Sequence, residues 1–362
     1  MKKADRYIFQ SMILPIIFGI SLFTFIFLID VLVEMMEKII VRNIPVSQVI
    51  EMVSYYLPPI IVNTMPMGIF LGVMMTYSTL SSNSEIVALE SVGVGLGRVL
   101  RPALYFGFLS MLFIFFVSEK VIPSSYSKLA MLTQKIAMTK PTVQISEKVF
   151  VEGIGDYSIY INKIDDIKNE ATNLIAFKKD DDKIYPEIIV SEKAKWKKEN
   201  MILEKAKFYN ISSSGEKELE GSFDKQIIPI TTLMGDFTKD REKDKSMMGI
   251  SEIYKEIKDR KKRGLETIKY EIEFNQMLAI PISAFILSIL GVLLSVKHTR
   301  GGKGVSFGIS LVIIFSYIMG VNLCRLLSNK EVLTPYISLW IPDILLLLVT
   351  IIVFIRKVRR GR

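Results

Sequence analysis

Apolar and charged positions are segregated along this chain. Runs without a charged residue cover Tyr7 to Ile29, Met52 to Ser84, Pro102 to Ser118, Phe274 to Val296 and Val305 to Cys324, and a sixth, Val332 to Ile355, is broken only by Asp343. A bilayer core of about 30 Å takes about 20 helical residues, so the pattern predicts six transmembrane helices, with the Pro102 run extending a few residues past Ser118. The first run does not read as a cleaved leader: it is too long, no small-residue cleavage site follows, and "VEMMEK" continues the helical pattern.

Between about Ser124 and Glu273 the period changes to two. In "YSIYINKI", Tyr157, Ile159 and Ile161 alternate with Ser158, Tyr160 and Asn162. Ala194 and Trp196 alternate with Lys193, Lys195 and Lys197, and after a polar turn near Glu199 and Asn200, Ala206 and Phe208 alternate with Lys205 and Lys207, which predicts a hairpin with one wet, basic face. Further strands are expected at Val143–Val151, Asn173–Lys178, Pro186–Val190 and Lys217–Ile230, giving an antiparallel sandwich or jelly roll. Helical spacing returns from about Ser246. The predicted fold is a six-helix membrane protein with a β jelly-roll domain inserted between helices 3 and 4. Residues 1–125 hold the first three spans, 126–245 the β domain, and 246–362 a connecting helix and the last three spans.

"YSTLSSNSEIVALESVGVGLGRVLRP", Tyr77 to Pro102, ought to be a plain loop between spans two and three, yet it carries Ser82-x-x-Glu85, the spacing of a capping box, then Ile86 and Leu89, then Gly93, Gly95 and Gly97. This predicts a helix of two to three turns near 82–93, too short to stand alone in water. It is either a turn resting on neighbouring spans or a coupling helix that docks into a separate ATPase subunit. The pattern leaves both open.

The composition, 50% hydrophobic yet 23% charged, fits spans plus a polar domain. Thirteen basic residues flank the spans on one side (Lys2, Lys3, Arg6, Arg98, Arg101, Lys297, Arg300, Lys303, Arg356, Lys357, Arg359, Arg360 and Arg362), opposed by Asp5, Glu85 and Glu90. The rest of the chain holds 33 Lys and Arg against 34 Asp and Glu. The net charge of +9 therefore belongs to one face, which the positive-inside rule makes cytoplasmic, with both termini there and the β domain outside. No nucleic acid is needed to explain a pI near 9.3. "KDRKKRG", Lys258–Gly264, lies outside and follows the spacing Ile250, Ile253, Ile257, as a solvated helix end would.

Catalytic patterns are sparse. The chain has one histidine, His298, and one cysteine, Cys324, and it lacks the His-Glu-x-x-His and phosphate-loop motifs; "TRGGKGVS" lies between two spans without a preceding strand and reads as a tight hairpin. No metal or cofactor is implied. At the outer end of span one, Asp30, Glu34, Lys38 and Arg42 recur every four residues along one helical stripe, either as a self-paired ladder facing water or as the wall of a substrate entrance.

The segment "PMGIFLGVMMTYSTLSSNSEIVALESVGVGLGRVLRP" resembles the second span and coupling loop of the LptF/LptG permeases, whose hallmark is a Ser-Glu-Leu/Ile step followed by small residues and glycines. "DRYIFQ" before span one, a sheet domain after span three, "GVLLSVKHTRGGKGVSFGISL" across spans four and five and "PYISLWIPDILLLL" in span six extend the resemblance over essentially the whole chain. It implies an inner-membrane permease that pairs with the other LptF/LptG subunit, binds a dimer of the LptB ATPase, extracts lipopolysaccharide and passes it through the jelly roll toward LptC and LptA. ATP is used by the partner, and the permease has no catalytic site of its own. The ATPase-coupling positions matched here are Ser84, Glu85, Ile86, Leu89 and Glu90. In that family span one of each subunit forms a lateral gate with span five of its partner, and basic residues near its outer end meet the lipid's phosphates, which points to Lys38 and Arg42, with Arg325 near the outer end of span five as a third. Two other readings stay open: a permease-like subunit of another lipid or lipoprotein exporter, which more often has four spans, and an intramembrane enzyme with Asp343 or Asp30 as its acid.

Overall fold

Among the described residues of the computed structural model, six helices are long and apolar enough to cross a membrane, over Lys3–Ile40, Val46–Ser82, Leu96–Ile136, Ile268–Ser295, Gly304–Asn329 and Pro335–Arg359, so the chain is a multi-pass membrane protein. The structure describes residues 3–40, 44–139, 150–154, 157–165, 170–178, 186–197, 200–211, 217–229, 245–296 and 302–360. Its helices are α1 (Lys3–Ile40), α2 (Val46–Ser82), α3 (Glu85–Ser91), α4 (Leu96–Val99), α5 (Arg101–Phe116), α6 (Ile122–Thr139), α7 (Ile250–Arg263), α8 (Ile268–Ser295), α9 (Gly302–Asn329), α10 (Pro335–Ser338) and α11 (Ile341–Arg360).

The third span outruns its expected end just past Ser118. A π turn at Val117–Val121 joins α5 to α6, so the helix continues to Thr139. Glu119 in that turn does not stop the helix because its carboxylate has a fixed partner. It accepts from the Ser251 hydroxyl at 2.5 Å and from the Ser251 amide at 3.2 Å. It thereby satisfies the first turn of α7, whose own cap, Gly249, has no side chain to offer.

Two compact units divide the chain: Met1–Val31, Tyr55–Tyr126 and Lys245–Arg362 form one, Leu32–Ser54 and Ser127–Asp244 the other. In the first, α2 and α8 are central. One core joins Ile8, Met12 and Ile16 of α1, Ile69, Val73 and Tyr77 of α2, and Ala284, Val292 and Leu293 of α8. A second joins Phe70 and Met74 of α2, Leu287 and Leu290 of α8, and Ile314 of α9. Helix α1 meets α2 at backbone distance: a Cβ at Gly68 would sit 2.4 Å from the Ile20 nitrogen, and one at Gly72 would sit 2.4 Å from the Ile16 Cα. This is the close approach that a small-x-x-x-small pair permits in a membrane, where side-chain burial gives little drive for helices to associate. The outward sides of α1, α9 and α11 remain apolar, with Phe25, Val312, Phe315 and Leu345 exposed, as suits a lipid solvent.

The second unit contains one antiparallel sheet, β1 (Phe150–Ile154), β2 (Tyr157–Asp165), β3 (Glu170–Lys178), β4 (Glu187–Lys197), β5 (Asn200–Ile211) and β6 (Lys217–Pro229), paired in sequence order. The expected hairpin is present, Lys197 opposite Asn200, and its basic face is solvated at Lys193, Lys205 and Lys207. The strand expected at Pro186–Val190 is continuous with the hairpin's first arm as β4. Most of the strand expected at Val143–Val151 lies outside the described residues. In place of the second sheet of a sandwich, the described residues form a single meander that buries its own core, Ile159, Leu174, Ala176, Ile189, Ala194, Leu203 and Ala206.

A crease allows this. The buried positions are Ala171 then Leu174 and Ala176 in β3, Ile189 and Ser191 then Ala194 in β4, and Met201 and Leu203 then Ala206 in β5, so each strand switches its inward parity once. The switches align. Asn173, Glu192 and Lys205 fall opposite one another in the ladder, all three exposed, with Asn173 at φ 54° and Lys205 at φ 53°. Lys205 Nζ and Glu192 Oε2 lie 3.0 Å apart across the crease. Left-handed residues bend the strands together, and the face that points inward changes there.

Candidate functional site

The short helix between spans two and three exists, but its expected capping box does not form. Helix α2 runs on through Ser82, so Ser82 ends one helix and cannot cap the next; the chain turns at Ser84, held at φ 59° with no side-chain cap bond, and α3 starts at Glu85. The Glu85 carboxylate instead accepts from Asn83 Nδ2 at 3.2 Å and lies against Tyr7 of α1. Gly93, at φ 82°, takes the left-handed turn that ends α3, where any side chain would be strained.

Helix α3 is seated on one side only. Ile86 is buried in the first core, and Leu89, Val94 and Leu96 pack against the same cluster. Ser84, Val87, Ala88, Glu90 and Ser91 are exposed. Val87 is 59% exposed and Val92 75%, which leaves two branched apolar side chains in the open, one on a seven-residue helix and one at its C-cap. The following α4 is pinned from below. The Tyr77 hydroxyl, fully buried, donates to the Val99 carbonyl at 2.8 Å, and Arg98 Nε lies 3.8 Å from Asp5 Oδ1. Sequence reasoning missed Tyr77, Asp5 and Arg98 as anchors. Tyr77 sits inside an apolar run, where periodicity gives it no more weight than a phenylalanine.

The five positions expected to couple thus divide. Ile86 and Leu89 hold the helix down, Glu85 sits at its start beside α1, and Ser84 and Glu90 face outward.

The candidate lipid-contacting residues belong to different units. Lys38, in the second, pairs with Glu34 at 2.9 Å along the same helix, as the ladder reading expected. Asp30 is exposed on that helix, and Arg42 lies outside the described residues. Arg325, in the first unit, sits 3.9 Å from Glu273 and remains 40% exposed. Both described cations keep accessible surface beside a carboxylate.

Near Arg325's partner, α7 is clamped to α8. Lys261 Nζ lies 2.7 Å from Glu271 Oε1, Thr267 donates to the same oxygen at 3.0 Å, and the Arg260 guanidinium stacks 4.2 Å over the Tyr270 ring. The hydrogen bond to Glu271 raises the Lys261 ammonium above its ordinary value. Among the described residues, no three His, Cys, Asp or Glu side chains are grouped to hold a metal ion.

The chain is thus a polytopic helix bundle with a short helix locked to its core by one face and a sheet domain in the middle of the sequence. Residues 6–356 match the family described as "Lipopolysaccharide export system permease LptF/LptG", and the chain belongs to that family. No curated protein matches the chain.

Proposed function

We propose that this chain is one permease subunit of an ABC transporter that extracts lipopolysaccharide from the bacterial inner membrane. It pairs with the other LptF/LptG permease and is driven by an LptB-like ATPase dimer that docks on α3. ATP is used by that partner; this chain supplies no hydrolytic residue and needs no cofactor. Both termini and α3 lie in the cytoplasm. The creased sheet is the periplasmic domain, rolled as a jelly roll, and hands the lipid to LptC/LptA-like proteins. Lys38, Arg42 and Arg325 meet the phosphates of the entering lipid.

The observation that carries this reading is the two-sidedness of α3. A helix this short is held only by what packs on it, and its inner face is anchored by Ile86 while Val87 and Val92 stay exposed beside Glu90. A loop that only closed the bundle would have no use for an outer apolar face framed by carboxylates. An ATPase groove lined with apolar and basic side chains would cover it. The test is co-purification. Glu85→Arg should leave the permease inserted and abolish retention of the ATPase, whereas full retention by that variant would reduce Glu85 to a local partner of Asn83.

A further inference from the structure

Asp343 has no part in the transport reading above, and its surroundings are unlike those of any other carboxylate described here. It lies in the first turn of α11, within the sixth span, and is 3% exposed. Its Oδ1 accepts from the Tyr317 hydroxyl of α9 at 2.9 Å. Its Oδ2 has no hydrogen-bond partner among the described residues and less than 1 Å² of accessible surface.

An ionised carboxylate in this position would be stabilised by one neutral donor alone. The helices that pack most extensively against α11 are α8 and α9. From α9 the facing titratable group is Tyr317. From α8 there is only a neutral hydroxyl, Ser283, which lies against the Tyr317 hydroxyl and donates to the Ile280 carbonyl at 2.8 Å. The charges on these helices lie toward their ends, Lys269 in the first turn of α8 and Lys303 in the first turn of α9 among them. Glu271 pairs with Lys261 and Glu273 with Arg325, both at the outer end of α8, ten residues or more from Ser283 and so about 15 Å or more along the helix. Arg356, Lys357, Arg359 and Arg360 occupy the opposite end of α11. The free amides of the first helical turn favour an anion, yet none of them reaches Oδ2.

An oxygen without accessible surface leaves no room for a sodium ion or a water molecule, but a proton needs no additional volume. A neutral hydroxyl lacking an acceptor is a small fault inside a protein, and a buried charge lacking a counter-charge is a large one. We propose that Asp343 is a proton-binding group of the membrane core, carrying its proton on Oδ2 in this conformation. Releasing that proton creates a charge that the present packing cannot accommodate. Deprotonation therefore requires α11 to shift against α8 and α9 until water or a donor reaches Oδ2, and proton occupancy and the packing of the sixth span become linked quantities.

Infrared spectra of the purified full-length chain in lipid nanodiscs test this at neutral pH, where ordinary surface carboxyls are ionised and silent in the protonated-carboxyl region. The wild type should show a protonated-carboxyl C=O stretch that shifts in D2O, and Asp343→Asn should remove it. Tyr317→Phe keeps the carboxyl but withdraws its one donor, so the same band should move to higher frequency. Absence of the band from the wild type, or its survival in Asp343→Asn, overturns the proposal. Should Asp343→Asn fail to fold, Tyr317→Phe decides alone, and an unmoved band overturns it.

Discussion

Tyr77 and Val99 are 22 residues apart in the chain and joined by a hydrogen bond of 2.8 Å, buried, from hydroxyl to carbonyl. That bond ties the end of the second span to the start of the third and closes the base on which α3 rests. Removing the hydroxyl leaves a buried carbonyl without its donor, which costs about 1–3 kcal/mol. Tyr77→Phe should therefore lower the melting temperature of the purified permease. If α3 transmits the ATPase stroke, the same variant should lose lipopolysaccharide-stimulated ATPase activity by more than it loses assembled complex. An unchanged melting temperature would show the bond to be dispensable.

The α1–α2 contact makes a second, purely steric prediction. A Cβ at Gly68 or Gly72 would sit 2.4 Å from backbone atoms of α1, whereas one at Gly97 would meet nothing within 4 Å. Gly72→Val should then part the helices and cost on the order of 3 kcal/mol or more, by the overpacking of a well-fitted contact. Gly97→Ala should melt within about 1 kcal/mol of wild type. Equal melting of the two variants would contradict the close approach.

Val87 allows the docking face to be tested without touching the fold. It is 59% exposed, so Val87→Asp should leave melting unchanged while weakening ATPase retention at least tenfold. Normal retention would shift the docking surface away from this face.

On the lipid side, Arg325 is already balanced by Glu273, so a single neutral change alters little, whereas Arg325→Glu places two carboxylates together. That variant, combined with charge reversal at Lys38 and Arg42, should reduce lipopolysaccharide crosslinking severalfold and spare ATPase assembly. Unreduced crosslinking would remove all three from the substrate path.

The Lys261–Glu271 pair predicts a pH dependence. The folded-state value of Lys261 is raised, so its contribution is complete below the unfolded value near 10.5 and is lost as pH rises through the higher folded value. Lys261 is 55% exposed, and the contribution is about 1 kcal/mol or less. The wild type should therefore melt slightly above Lys261→Met at every pH from 7 to 9, with the gap closing only in stronger alkali. A gap that closed below pH 9 would mean that the pair is not formed.

Much of this fold was written plainly in the order of residues. Five uncharged runs and a sixth broken only by Asp343 correspond to six helices, and the spacing Ile250, Ile253, Ile257 to α7 with Ile253 and Ile257 buried. The existence of α3 followed from Ile86 and Leu89, but its start did not. A capping box is a local signal, and Ser82 was already claimed by the preceding helix. The π turn at Glu119 depends on Ser251, 132 positions away, and the role of Tyr77 depends on a carbonyl that only the fold brings near. Local periodicity contains neither relationship. The strand pattern was legible in the sheet except where parity changes, because an alternation that skips one place resembles noise in a single strand and becomes a feature only when three strands skip together.

The crease also has a local signature that can be measured. Lys205 occupies a left-handed conformation and Lys207 an extended one two places on, so glycine should be tolerated at 205 and cost about 1 kcal/mol at 207. Equal losses at the two sites would argue against the positive φ.

Beyond that, Asn173, Glu192 and Lys205 act as a phase slip shared by three strands. On either side of it each strand is in step with its neighbours, and across it all three change step together. Deleting Lys205 alone would put β5 out of phase with β4 over half its length, turning either Met201 and Leu203 or Ala206 toward solvent. Deleting all three would restore a common phase in a straighter sheet, with less curvature to close over its own core. The curvature is thus a collective property of three residues distant in sequence and adjacent in register, and none of the three can be lost independently of the others.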